Sequence, residues 1–80
     1  MTKKEMAQPH ARALLAANVQ ALRIEIGTTQ EKLAEAGGMH RTYVSHVERQ
    51  LANVTVDNVQ KLADVLGVPV ARLFAVPKGD

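Results

Sequence analysis

Gln30-Glu31-Lys32-Leu33-Ala34-Glu35-Ala36-Gly37-Gly38-Met39-His40-Arg41-Thr42-Tyr43-Val44-Ser45-His46-Val47-Glu48 sets two short apolar-patterned segments on either side of a Gly-Gly step. Counted from Gln30, Leu33-Ala34 occupy the fourth and fifth positions, Gly38 the ninth, and Val44 and Val47 the fifteenth and eighteenth. The spacing suits two short helices meeting at a sharp angle. The small Ala34 lets them approach, Gly38 supplies a turn that needs positive φ, and the two valines anchor the second helix on a core. With Val44 and Val47 inward, Arg41, Thr42, Ser45 and His46 point outward or sideways. Such a row of donors and acceptors on an exposed helix fits base edges in the major groove of duplex DNA.

Working outward, Leu15, Val19, Leu22 and Ile26 follow a four-three-four spacing, one face of a first helix that Gly27 should end. Thr28 or Thr29 should cap the second helix, and Thr28 with Glu31 has capping-box spacing. The third helix is expected from about His40 to Arg49, followed by a loop over 50–54. Thr55 reads as the cap of a fourth helix whose inner stripe is Val56, Val59, Leu62, Ala63 and Leu66. Gly67 ends it. Pro69 then opens a short fifth helix with Val70, Leu73 and Phe74 as its apolar face. The expectation is an all-α, five-helix domain with a central helix-turn-helix over 11–74, a basic arm over 1–10 and a tail over 75–80.

The totals agree with one small domain. Eighty residues with 46% apolar content can bury a core, and the only aromatic residues, Tyr43 and Phe74, leave that core aliphatic. Without cysteine there is neither a disulfide framework nor a thiolate zinc site. His40 and His46, six apart, do not share a helical face as metal ligands do, so no metal is expected, and His10 reads as part of the arm or a cap. No apolar run is long enough to span a membrane, and 1–9 has no signal-type hydrophobic stretch. A reducing cytoplasm is the natural compartment, with the protein on the nucleoid of a bacterium or of phage origin. The net charge is only +2, but residues 1–49 hold seven Lys/Arg against five acids while 50–80 hold three of each, so the basic excess accompanies the reading element. Ser45 has no histidine–acid relay and the carboxylates are scattered, so neither an enzyme, a cofactor nor a small-molecule ligand is expected.

From about Leu15 to Phe74, three quarters of the chain, the sequence resembles the Cro and lambda-repressor (XRE) type of helix-turn-helix regulator. The matching residues are Leu22-Arg23, Gly27, Thr29-Gln30-Glu31-Lys32-Leu33-Ala34, Gly38, Val44-Ser45, Glu48-Arg49, Leu62-Ala63, Leu66-Gly67-Val68 and Leu73-Phe74. Within that family, His40-Arg41-Thr42-Tyr43-Val44-Ser45, Val47-Glu48-Arg49 and Asn53 are most similar to the controller proteins of restriction–modification systems. The resemblance implies that Arg41, Thr42 and Tyr43 read or position against bases, and the outward spacing of Ser45 and His46 adds them to the expected base-reading set. The resemblance also implies phosphate contacts from Thr29, Gln30, Arg49 and Asn53, and a partly buried ion pair between Arg23 and Glu48. Tyr43 also reads as a ring packed over the neighbouring helix, and His46 equally as a solvent-facing residue. Thr28 and Gly37 depart from the family pattern, and Gln50-Leu51-Ala52 lacks the usual Gly and basic residue of that loop.

A regulator this small needs two reading heads, so a homodimer is expected, with Val70, Leu73, Phe74 and Val76 as candidates for a two-fold contact. The alternative for Leu73 and Phe74 is simple core packing. The Lys3-Lys4 arm adds either phosphate contacts or solubility. The expected function is sequence-specific binding to a pseudo-palindromic operator as a controller-like autoregulator, acting on RNA polymerase by blocking or recruitment. A phage- or plasmid-type repressor is the near alternative. An antitoxin-type protein-interaction module is the distant one, and the short tail leaves little chain to wrap a toxin.

Overall fold

The computed structural model describes residues 10–77. The expected arm over 1–10 therefore lies outside the described residues except for His10, as do the last three residues of the tail. Four α-helices follow in order: α1 (Ala11–Glu25), α2 (Gln30–Gly37), α3 (Arg41–Glu48) and α4 (Val56–Leu66). The expected fifth helix is a single 3-10 segment, Val70–Phe74, and the described residues contain no strand. None of these helices is long and apolar enough to cross a membrane.

Three of the four helix starts, those of α1, α2 and α4, follow from side-chain capping, and α3 begins after its N-cap His40 without one. His10 Nδ1 accepts from the Arg12 N–H at 3.3 Å, Thr29 Oγ1 from the Lys32 N–H at 3.0 Å, and Thr55 Oγ1 from the Asn58 N–H at 3.1 Å. Each satisfies an N–H that the first turn leaves unpaired. Thr29 is thus the cap of α2, which puts Lys32 rather than Glu31 at the third position. The Thr28–Glu31 capping box does not form.

All four helices end alike. In each, a residue two or three places past the last helical residue donates back five positions and the residue before it three, the paired bonds of a Schellman motif. At the end of α2 these are Met39 N–H to Ala34 C=O (2.8 Å) and Gly38 N–H to Glu35 C=O (3.1 Å). Gly38 has φ +71°, and a Cβ there would touch nothing, so its left-handed backbone alone calls for glycine. Gly37 is the last residue of α2 and not part of the turn proper. After α3 the same motif places Gln50 at φ +64°, the one non-glycine residue with positive φ among those described. This is why the loop closes normally without the glycine usual there.

The core is aliphatic. Leu15, Val19 and Leu22 from α1 meet Leu33 and Ala34, Val44 and Val47, Val59, Leu62, Ala63 and Leu66, and finally Leu73. Tyr43 and Phe74 pack at its margin. Two stripes are shorter than expected. Ile26 is half exposed because α1 stops at Glu25 and the chain leaves the helical face. Val56, at the first position of α4, projects past the core and is 82% exposed.

Among the described residues Asn18 is the one polar residue fully in the interior. Its Nδ2 donates to the Leu73 and Ala75 carbonyls at 3.0 and 2.9 Å, and its Oδ1 accepts from Arg72 Nη1 at 3.0 Å. Three groups of the C-terminal segment are thereby stitched to α1, and no amide atom is left unpaired. A short 3-10 turn has little cohesion of its own, so this amide, together with the buried Leu73, seats it.

Candidate nucleic-acid interface

α2 and α3 pack on one another with Ala34 fully buried between them. Val44 and Val47 fix the rotation of α3, and what remains follows from 100° per residue. Thr42 and Arg49 face straight out, with Ser45 and His46 beside them. Arg41 and Glu48 lie on one flank, and Tyr43 lies on the flank toward α4. Burial agrees: Arg41, Thr42 and Arg49 are exposed, while Tyr43, Ser45 and His46 are half-buried. The exposed ridge therefore holds a guanidinium at each end with hydroxyls and an imidazole between them. Glu31, Lys32 and Glu35 of α2 border the cleft beside His40 and Arg41.

The ridge is held from behind by a charged cluster. Arg23 Nε and Nη2 bond to Glu48 Oε2 and Oε1 at 2.7 and 3.0 Å, a bidentate pair. Its Nη1 donates to the Thr28 carbonyl at 3.2 Å. The side chains are 15% and 3% exposed, so the pair is far drier than an ordinary surface bridge. Hydrogen bonding to Glu48 holds the Arg23 pKa above the usual arginine value, against the opposing effect of burial and with help from the Glu48 charge. One guanidinium thus joins the end of α1, the cap region of α2 and the end of α3.

The phosphate candidates differ in their freedom. Arg49 is exposed. The Thr29 hydroxyl oxygen is engaged as the α2 cap. Gln30 Nε2 donates one hydrogen to Glu48 Oε1 at 2.9 Å, which leaves its second amide hydrogen and the N-terminal turn of α2 for an anion. Asn53 Oδ1 accepts from the Arg12 guanidinium, whose Nε also donates to the Ala52 carbonyl at 3.2 Å. Ala52 is buried in the core, so its methyl acts as packing where a donor was expected by resemblance. Arg12 escaped sequence reasoning because 41 residues separate it from Asn53.

The candidate two-fold residues divide. Leu73 is 0% exposed and has no surface to offer a partner; it is core. Val70 and Phe74 line an apolar groove of about 360 Å³ with Leu15, Val54, Val56 and Val59. Val76 is exposed but borders a different groove, beside Ala17, Ala21 and Arg72. Among the described residues no cluster of His, Asp or Glu is arranged to hold a metal ion.

The helix-turn-helix family model HTH_3 matches residues 19–73. The chain is 43% identical over 67 residues to a hypothetical transcription factor of Neisseria meningitidis serogroup B, covering 84% of this chain but only 63% of that protein's length. It is 43% identical over 61 residues to control protein C.SmaI of Serratia marcescens, covering 76% of this chain and 73% of that protein. In three dimensions the crystal structure of the Neisseria factor NHTF aligns with a TM-score of 0.83 at 43% identity, over 85% of this chain and 78% of that one. The restriction-modification controller protein C.AhdI of Aeromonas hydrophila aligns with a TM-score of 0.76 at 36% identity, over 79% and 96%. With more than half its length matched by the family model, the chain belongs to the helix-turn-helix family, and restriction–modification control proteins are among its homologues.

Proposed function

We propose that this chain is a sequence-specific regulator of transcription that binds double-stranded DNA as a homodimer, in the manner of a restriction–modification controller. The observation that carries this reading is the α3 ridge, an exposed row of hydrogen-bonding side chains on a helix rigidly seated by Val44, Val47 and the Arg23–Glu48 pair. Arg41 has the geometry to bond guanine bidentately, Thr42 offers a hydroxyl and a methyl, and Ser45, His46 and Tyr43 complete the reading set. Arg49, Gln30, Thr29 through the α2 N-terminus, and Asn53 serve the phosphate backbone and supply most of the salt-dependent affinity. Regulation follows from occupancy of an operator, which blocks or recruits RNA polymerase.

The groove lined by Val70, Phe74 and the protruding Val56 is the proposed two-fold contact, since a valine exposed this far beside an apolar groove favours burial against a second copy. Two α3 helices would then enter successive major grooves about 34–36 Å apart. Selection of duplexes from a random pool tests the function. The expected result is an inverted repeat whose half-sites lie one helical turn apart; a pool that shows no enrichment contradicts it.

A further inference from the structure

Among the described residues one side-chain hydrogen bond links α3 to α4, at the flank of the reading ridge. Tyr43 packs its ring at the edge of the core on the α4 side of α3. Asn58, on the first turn of α4, donates from Nδ2 to Tyr43 Oη at 3.3 Å, and the contact is partly buried. Asn58 is fixed in place by its own backbone, whose N–H is held by Thr55 Oγ1. A phenol has one proton to give and accepts through its lone pairs. With an acceptor site occupied from the α4 side, the O–H proton is directed elsewhere, and Tyr43 Oη donates to no group among the described residues.

We propose that Asn58 is a positioning residue for DNA recognition: it pins the Tyr43 phenol at the edge of α3 and presents its hydroxyl as a hydrogen-bond donor. Such a donor suits an acceptor atom of the duplex, either a phosphate oxygen or a base acceptor (guanine O6 or N7, adenine N7, thymine O4), and not the amino group of adenine or cytosine. The proposal rests on α3 being the DNA-reading helix. Asn58 itself need not touch the duplex; it acts through Tyr43. The capping bond from Thr55 makes the start of α4 part of the recognition apparatus, which neither the position of Asn58 nor its residue type would signal.

A double-mutant cycle tests this with a duplex selected by the wild-type chain from a random pool. Tyr43→Phe and Asn58→Ala are each expected to weaken binding roughly five-fold per subunit in contact, the worth of one hydrogen bond, and the double variant no more than either alone. An Asn58 that merely steadied α4 would cost as much in the Tyr43→Phe background as in the wild type. A double variant whose loss is the product of the two single losses, or wild-type affinity for Asn58→Ala, overturns the proposal. Polarity is tested with Asn58→Asp, whose carboxylate can only accept and so draws the phenol proton inward. Its cost should be larger with Tyr43 present than in the Tyr43→Phe background, and equal costs overturn the donor assignment. The same losses on random-sequence duplex locate the acceptor on a phosphate, and losses confined to the selected duplex locate it on a base. If the wild type selects no duplex at all, the reading of α3 fails with the proposal; if it selects one and Asn58→Ala matches it, only the proposal fails.

Discussion

Gln50 adopts the left-handed backbone that glycine supplies at the ends of α1, α2 and α4. A side chain there costs about 1–2 kcal/mol, partly offset because glycine loses more chain entropy on folding. Gln50→Gly should therefore raise stability by about 0.5–1 kcal/mol, read as a higher denaturation midpoint, and an unchanged midpoint would show that the loop bears no such strain. Glu48 is the opposite case. Glu48→Ala leaves the Arg23 guanidinium without its bidentate partner and Gln30 without its acceptor. The expected loss is about 1–3 kcal/mol by denaturant titration, above what an exposed pair would give because both side chains are mostly shielded.

At the scale of elements, the weakest piece is the 3-10 segment Val70–Phe74, which rests on Leu73 and on the Asn18 amide. Asn18→Ala strips the Leu73 and Ala75 carbonyls of their donor and Arg72 of its acceptor, with an expected cost of about 1–3 kcal/mol. Hydrogen exchange should show the segment opening before α4 does; simultaneous opening would mean that the segment is held as firmly as α4 and is not the weakest piece. The elements themselves were legible in the sequence. Helix periodicity, the Thr55 cap and the glycine stops at Gly38 and Gly67 are local signals, readable within a few residues. Asn18 was not legible, because its partners lie 54 to 57 residues away and an asparagine inside a helix has no periodic signature. Arg12 was missed for the same reason. Ile26 and Val56 misled because apolar spacing continues past the point where the helix, or the core beneath it, stops. The left-handed Gln50 could be inferred only by noting that α3 needs the same ending as its neighbours.

For the whole molecule, the ridge residues were found because inward Val44 and Val47 determine what faces out, whereas burial separated Leu73 from the rest of the candidate two-fold contact only once the core was assembled. The groove beside Val56 leads to a test of assembly. Val56→Glu changes a side chain already 82% exposed, so the fold should be unaffected while the chain becomes monomeric at micromolar concentration by sedimentation. Binding to a palindromic duplex should fall, and binding to an isolated half-site should not. A Val56→Glu chain that stays dimeric would remove this groove as the two-fold contact.

Arg41→Ala decides whether the outward face of α3 reads duplex DNA. Arg41 is exposed at the start of α3 and makes no hydrogen bond within the described residues, so removing its side chain beyond Cβ leaves the core and the Arg23–Glu48 pair intact. The measurement is the affinity of wild-type and Arg41→Ala chains for the selected duplex and for random-sequence duplex, with folding checked by thermal melting. The expected result is an unchanged melt and a loss of about 1–3 kcal/mol for each Arg41 in contact on the selected duplex, with a much smaller loss on random sequence. An Arg41→Ala chain that binds the selected duplex as tightly and as selectively as the wild type would contradict it.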